Sequence, residues 1–217
     1  MDGLREHVHT RPIEVLVVYD FECDTTVPVV KRLQAEMPWV VLHRNDLGRG
    51  ALNALKSGFA AAQAPYILVT MADLSDDPAD IEPMLARASQ SDADVVAGSR
   101  YMAGGRQVGG PFVKRTLSRI AGLSLHFVGG VGTHDATNNF KLYSRRLLDQ
   151  VDIESEAGFE LGLELTVKAH LRGMCIAEIP TTWRDRSAGE SRFQIRKWIP
   201  HYLRWYRLGM FGRFKRR

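Results

Sequence analysis

The chain has 217 residues, 45% hydrophobic and 25% charged, a balance that excludes wholesale disorder and suits one α/β domain with a full core. No apolar stretch reaches the ~18–20 residues of a membrane span, and residues 1–14 are too polar for a secretory leader. The net charge of +4 hides an asymmetry: residues 192–217 hold nine Lys or Arg and no acid, leaving 20 basic against 25 acidic side chains elsewhere, a net of −5.

In chain order, Glu14–Val18 (EVLVV) reads as a buried strand, followed by a helix over Val27–Met37 with Val29, Val30, Leu33 and Met37 near helical spacing. Trp39–His43 (WVVLH) is the next strand. Arg49–Gln63 then places Leu52, Leu55, Phe59 and Ala62 on one helical face. Tyr66–Thr70 (YILVT) is a third strand, Ile81–Ala88 a short helix and Asp94–Gly98 (DVVAG) a fourth strand. Such alternation predicts βαβ units and a mostly parallel sheet, with ligands at the carboxyl ends of the strands.

The second half is less regular. Pro111–Phe127 and Gly158–Arg172 read as helices, the latter with Glu160, Glu164 and Lys168 at i, i+4, i+8, and Asn138–Tyr143 and Met174–Ile179 read as strands. With no internal repeat or linker, the chain divides into one domain, 1–191, and a basic amphipathic segment, 192–217. Cys23 and Cys175 have no neighbours at metal-ligand spacing, which argues against a zinc site or disulfide framework and fits a reducing cytoplasm.

The strongest local signal is the apolar strand that runs into Met71-Ala72-Asp73-Leu74-Ser75-Asp76-Asp77. A hard divalent cation needs oxygen ligands, and a nucleoside diphosphate needs its charge neutralised before it leaves. A solvated turn with Asp77-Pro78 opening a helix accounts for the same residues. Lys114 and Ser118, four apart on one helix, form a plausible phosphate cradle, or a solvated helix face. Arg184 and Arg186, on a loop that ends at Ser191, suit closure over a pyrophosphate or plain surface charge.

Taken in order, Asp20 after a strand, Asn45…Gly48…Gly50, Ala72-Asp73-Leu74-Ser75, Gly98-Ser99-Arg100-Tyr101, Asp135…Phe140, Glu164 and Arg186…Gly189…Ser191 resemble the family 2 glycosyltransferases. The dolichol-phosphate mannosyltransferases and bacterial polyprenyl-phosphate glycosyltransferases look most similar. The resemblance spans roughly residues 14–192 and implies a GT-A fold, a Rossmann-like, mostly parallel sheet flanked by helices. It implies transfer of a mannose- or glucose-class sugar, with inversion, from a GDP- or UDP-sugar to a polyprenyl or dolichyl phosphate.

By the same resemblance, Asp20, Asn45 and Gly48 belong to the donor nucleotide pocket, and Arg186 and Ser191 to a loop that closes on the diphosphate. Asp73, the last carboxylate of a DXD motif, holds Mg²⁺ or Mn²⁺ with help from Ser75. Arg100, Lys114 and Ser118 hold the acceptor phosphate, and Asp135 lies close to the reacting sugar, so that Asp73 and Asp135 are the implied catalytic pair. An ionised phosphate is already nucleophilic and does not require a strong base.

Two departures bear on this. Met71 stands at the first DXD position, where a thioether is a poor ligand for a hard cation. The family's opening apolar strand and nucleotide-contacting loop have no counterpart before Glu14, which sets the expectation of a shortened N-terminus and an exposed apolar sheet edge.

The basic segment places Tyr202, Leu203, Tyr206 and Met210 along one side of a helix that starts near Pro200, with Arg204 and Arg207 on another. This suits an in-plane helix at the cytoplasmic face of a membrane, or an amphipathic helix packed on the domain. A nucleic-acid partner is not expected, because the body is acidic and no recognition motif accompanies the basic residues. The alternatives are transfer to a sugar or small molecule with Asp135 as base, or a non-catalytic relative acting as a binding module.

Overall fold

The computed structural model describes residues 1–11, 13–156, 158–185 and 195–212, with side chains in the last segment from Trp198 onward. The predicted strands appear as β1 (Val15–Tyr19), β2 (Val40–Arg44), β3 (Tyr66–Val69) and β4 (Val95–Ser99). Between them lie α2 (Thr26–Gln34), α3 (Ala51–Ala61) and α4 (Ile81–Ser91), the first helix, α1, being Asp2–His7. The second half adds β5 (Arg106–Val108), α5 (Phe112–Phe127), β6 (Lys141–Ser144), α6 (Arg145–Gln150), α7 (Leu161–Leu171), β7 (Ile176–Pro180), β8 (Thr182–Arg184) and α8 (Ile195–Phe211).

Parallel pairing holds in β1/β2, β4/β7 and β5/β8. The four-stranded sheet runs β3-β6-β4-β7, and β6 is antiparallel to both neighbours. Because β3 and β4 both oppose β6, they point the same way, so their carboxyl ends share one rim. β6 enters from that rim, and its first residue, Lys141, pairs with Val69 on one side and Ala97 on the other.

Alternation along the strands builds a core on each face of the sheet. Val96, Leu142 and Ala177 pack under Ile81, Met84 and Ala88 of α4. Val95 and Tyr143 pack on the opposite face against Phe59 of α3 and Leu161, Leu165 and Ala169 of α7. A third cluster joins Leu125 of α5, Leu163 and Val167 of α7, and Trp205 of α8. Thus α8 is docked on the domain through its tryptophan.

Three elements differ from the sequence-based expectation. α8 begins at Ile195, and Pro200 lies inside it rather than at its first turn, at the loss of one backbone bond. β6 begins at Lys141 rather than Asn138, because Asn138 Nδ2 donates to Gly98 O and Asn139 Nδ2 to Phe159 O. Side chains spent in this way anchor a loop instead of a ladder. Finally, no ladder joins β1 to β3. Between them lies a cavity of about 820 Å³ lined by Val15, Leu16 and Val18 of β1 and Ile67, Leu68 and Val69 of β3.

Candidate active site

The loops that leave the carboxyl ends of the strands gather most of the expected residues into three groups. After β1 and β2, Asp20, Asn45 and Gly48 form one bonded unit. Asn45 Nδ2 donates to Asp20 Oδ1 and to Gly48 O, both at 2.7 Å, and Gly50 N donates to Asp20 Oδ2 at 3.0 Å. Gly48 and Gly50 have φ of +97° and +127°, a backbone that side chains other than glycine adopt only with strain. This lets the chain turn tightly from β2 into α3 while its amide faces the carboxylate.

After β3, Asp73 and Ser75 share a tight turn in which Ser75 N donates to Asp73 Oδ1 at 3.1 Å. Leu74 between them has φ +59° and is 78% exposed. A left-handed leucine costs energy that its exposed side chain does not recover by packing. Asp76 is buried behind the turn and accepts from Met71 N at 3.3 Å. Burial pushes its carboxyl up to about 6; the Met71 bond opposes this, the nearby Asp73 charge adds to it, and Arg100 opposes it. The backbone of Arg184 donates to Ser75 O at 3.0 Å, so β8 is tied to the same turn.

The third group surrounds Arg100, just past β4. Its Nε and Nη2 donate to Asp135 Oδ2 and Oδ1 at 2.7 and 3.0 Å, and its backbone N donates to Oδ2 at 3.1 Å. Thr137 Oγ1 and Asn138 N donate to Oδ1 at 3.0 and 3.1 Å, which gives Asp135 five hydrogen bonds in a fully buried position. Burial opposes its charge, but the Arg100 guanidinium overrides it and holds the carboxyl below the usual range. Lys141, also fully buried, donates to the carbonyls of Ala136 and Asn138 and so pins the loop that carries Asp135.

On the other side, Ser118 of α5 shares a hydrogen bond of 2.5 Å with Tyr101 Oη, which also donates to Gln107 at 3.2 Å. The guanidinium of Arg100 lies 4.9 Å over the Tyr101 ring. Arg100 and Ser118, read as acceptor residues, are therefore linked through Tyr101. Lys114 is half-buried one turn before Ser118 on α5. Arg186 and Ser191 lie outside the described residues.

Among the described residues, no group of three or more His, Cys, Asp or Glu side chains converges as a ready-made metal site. Asp73 and Asp76, adjacent in charge, do fit a cation that arrives with a substrate's phosphates, since Mg²⁺ is commonly held by one or two carboxylates with the rest from phosphate and water. Met71, 42% exposed at the rim, contributes no oxygen.

Sequence reasoning assigned no role of their own to Tyr101 and Lys141. For Lys141 there was a signal: a lysine set between Phe140 and Leu142 in a short strand leads into a core, where an ammonium needs carbonyl or carboxylate partners.

The family model described as "Glycosyl transferase family 2" matches residues 2–152. The chain is 30% identical over 194 residues to the polyprenol monophosphomannose synthase of Mycolicibacterium smegmatis, covering 87% of this chain and 73% of that protein. It is 28% identical over 195 residues to the dolichol-phosphate mannosyltransferase of Pyrococcus furiosus, covering 88% of this chain and 53% of that protein. Among solved structures, glucosyl-3-phosphoglycerate synthase from Mycobacterium tuberculosis, in complex with Mn²⁺, UDP and phosphoglyceric acid, superposes with a TM-score of 0.63. The identity is 16%, over 98% of this chain and 71% of that one.

Proposed function

The chain belongs to glycosyl transferase family 2, and on that premise we propose that it transfers a mannose- or glucose-class sugar from a nucleotide diphospho-sugar to a polyprenyl phosphate, with inversion. In this reaction an acceptor phosphate oxygen bonds to the anomeric carbon as the bond to the nucleoside diphosphate breaks, and the electron pair leaves on the diphosphate oxygen.

The observation that carries the reading is the saturation of Asp135. A fully buried carboxylate with five donors and a lowered proton affinity is a poor general base. An acceptor hydroxyl would need a base, whereas an ionised phosphate does not. Asp135 is then a positioning residue that keeps Arg100 charged and oriented, and Arg100 Nη1, which takes no part in the Asp135 and Thr137 bonds, is the group assigned to substrate phosphate. Lys114, Ser118 and Tyr101 belong to the same acceptor end.

At the donor end, Asp20, Asn45 and Gly48 shape the nucleotide pocket, and Arg186 and Ser191 are the residues assigned to the diphosphate. Asp73, with Ser75 fixing its turn and Asp76 beside it, would hold Mg²⁺ or Mn²⁺, which supplies charge neutralisation for the departing diphosphate. GDP and UDP donors are both compatible with this reading. A peripheral position at the cytoplasmic face of a membrane belongs to the proposal, and no described helix is long and apolar enough to cross a bilayer. Met71 favours a second reading, a nucleotide-binding relative without turnover.

The test is incubation of purified protein with labelled GDP-mannose or UDP-glucose, divalent metal and a polyprenyl phosphate, followed by solvent extraction. Label in the organic phase is expected. Label transferred only to water-soluble acceptors would refute the phosphate-lipid reading, and absence of any transfer would favour the second one.

A further inference from the structure

The stretch that carries Asp135, between α5 and β6, forms neither helix nor strand, and two charged side chains in one row of the sheet grip it. Ala97 of β4 pairs with Lys141 of β6 on one side and with Glu178 of β7 on the other. Residues paired across a ladder share a face of the sheet and neighbouring strands are about 4.8 Å apart, so Lys141 and Glu178 rise from one face with backbones roughly 10 Å apart. Lys141 holds the far end of the loop by the carbonyls of Ala136 and Asn138. Glu178 holds the near end. Thr133 Oγ1 and His134 N donate to its Oε2, both at 2.9 Å, and His134 Nδ1 donates to its Oε1 at 2.5 Å. The ammonium gathers acceptors, the carboxylate gathers donors, and Asp135 lies between them.

The hydroxyl of Thr133 carries this grip to Asp135. It is fully buried, and it accepts from Asp135 N at 3.1 Å while donating to Glu178. An amide only donates and a carboxylate only accepts, so the hydroxyl proton has one place to go. The line from Asp135 N through Thr133 Oγ1 to Glu178 Oε2 therefore runs in one direction. The His134 ring is also held from α5: it stacks on His126 with centroids 3.8 Å apart, and His126 Nδ1 donates to Val131 O at 2.9 Å. Glu178 is 13% exposed, and burying a carboxylate is costly unless hydrogen bonds compensate it. Among the described residues, its hydrogen bonds all go to this loop. Three of the five bonds to the Asp135 carboxylate come from Arg100, so a shift of the 133–135 backbone re-aims the guanidinium.

We propose that Glu178 is a positioning residue of the transfer reaction: through Thr133 and His134 it fixes Asp135, and through Asp135 it aims Arg100. The inference rests on the proposed reading for the acceptor phosphate that Arg100 meets.

The test compares wild type with Glu178→Ala, Glu178→Gln, Thr133→Val and Thr133→Ser, each verified as folded by urea melts. The first readout needs no substrate. It is the exchange with water of the Arg100 Nε–H, followed by ¹⁵N NMR and assigned by its absence in Arg100→Lys. Exchange on the order of tenfold faster is expected in Glu178→Ala and Thr133→Val, with glutamine and serine restoring part of the protection. The second readout is steady-state transfer to a polyprenyl phosphate from whichever of labelled GDP-mannose or UDP-glucose the wild type accepts. Glu178→Ala and Thr133→Val should raise the acceptor KM by a similar factor and leave the donor KM unchanged. Unchanged Arg100 exchange in folded Glu178→Ala and Thr133→Val, or an equal rise in both KM values, would overturn the inference. Should Glu178→Ala not fold, Glu178→Gln and Thr133→Val carry the comparison. Faster Arg100 exchange in the variants, with no transfer even by wild type, would sink the acceptor reading and leave Glu178 as the residue that positions Arg100.

Discussion

Replacing Asp135 with asparagine tests whether the buried pair with Arg100 holds the site together. The Asp135 side chain is fully buried and that of Arg100 is 9% exposed. The two share three hydrogen bonds of 2.7–3.1 Å. Asparagine keeps the size but removes the charge and turns an amide N–H₂ toward a guanidinium that also donates. Removing one partner of a buried ion pair costs about 3–5 kcal/mol, because the other charge is left without compensation. Against a typical domain stability of roughly 5–15 kcal/mol, that is a large share.

Urea unfolding followed by the fluorescence of the four tryptophans reads the loss directly. A cycle with Arg100→Met should recover much of it, since the double variant strands no charge; a coupling of about 2 kcal/mol or more is expected. A single-variant loss under about 1 kcal/mol, the size of a solvated surface pair, would refute the geometry.

Three further outcomes follow from the packing. Burial pushes the Lys141 ammonium down to about 7, with Asp135 opposing, Arg100 adding and Asp76 opposing. The unfolded chain binds that proton up to ~10.4, so stability contributed by this group falls as pH drops from about 10 to 7 and levels off below. Lys141→Met should flatten that slope in urea melts at pH 7, 8 and 9, and an unchanged slope would contradict the assignment. Trp205→Ala, at a side chain 2% exposed against Leu125, Leu163 and Val167, should cost about 3–5 kcal/mol; a loss near zero in the same melts would mean that α8 is not docked. Gly122→Ala puts a methyl against His134 O. It should cost about 1–3 kcal/mol and slow transfer by displacing the 134–135 backbone, whereas unchanged stability would show that α5 has room there.

The fold was legible wherever a segment has one wet side and one dry side. β1 to β4 and α2 to α5 lie within a few residues of where apolar periodicity puts them. α7 was placed as well, and Glu160, Glu164 and Lys168, spaced i, i+4, i+8, prove to share a buried face. Glu164 there accepts from the backbone of Glu154 and Ser155 and pairs with Lys168 at 2.7 Å. β5 and β8, three residues each beside glycine-rich or polar turns, are too short to carry a period. In the site, the bonding of Asp20 to Asn45, 25 positions away, joins residues that the sequence could only set in order. The saturation of Asp135 depends on Arg100, Thr137 and Asn138 meeting across a strand and a loop, and nothing local announces it.

Calorimetric titration of wild type and Asp73→Ala with GDP and UDP, with and without Mn²⁺, tests most directly whether residue 73 anchors the cation on the donor diphosphate. The account predicts metal-dependent tightening for one nucleotide in wild type and loss of that dependence in the variant, with residual affinity from the Asp20, Asn45 and Gly48 unit. Equal affinity in the two proteins, with and without metal, would contradict it.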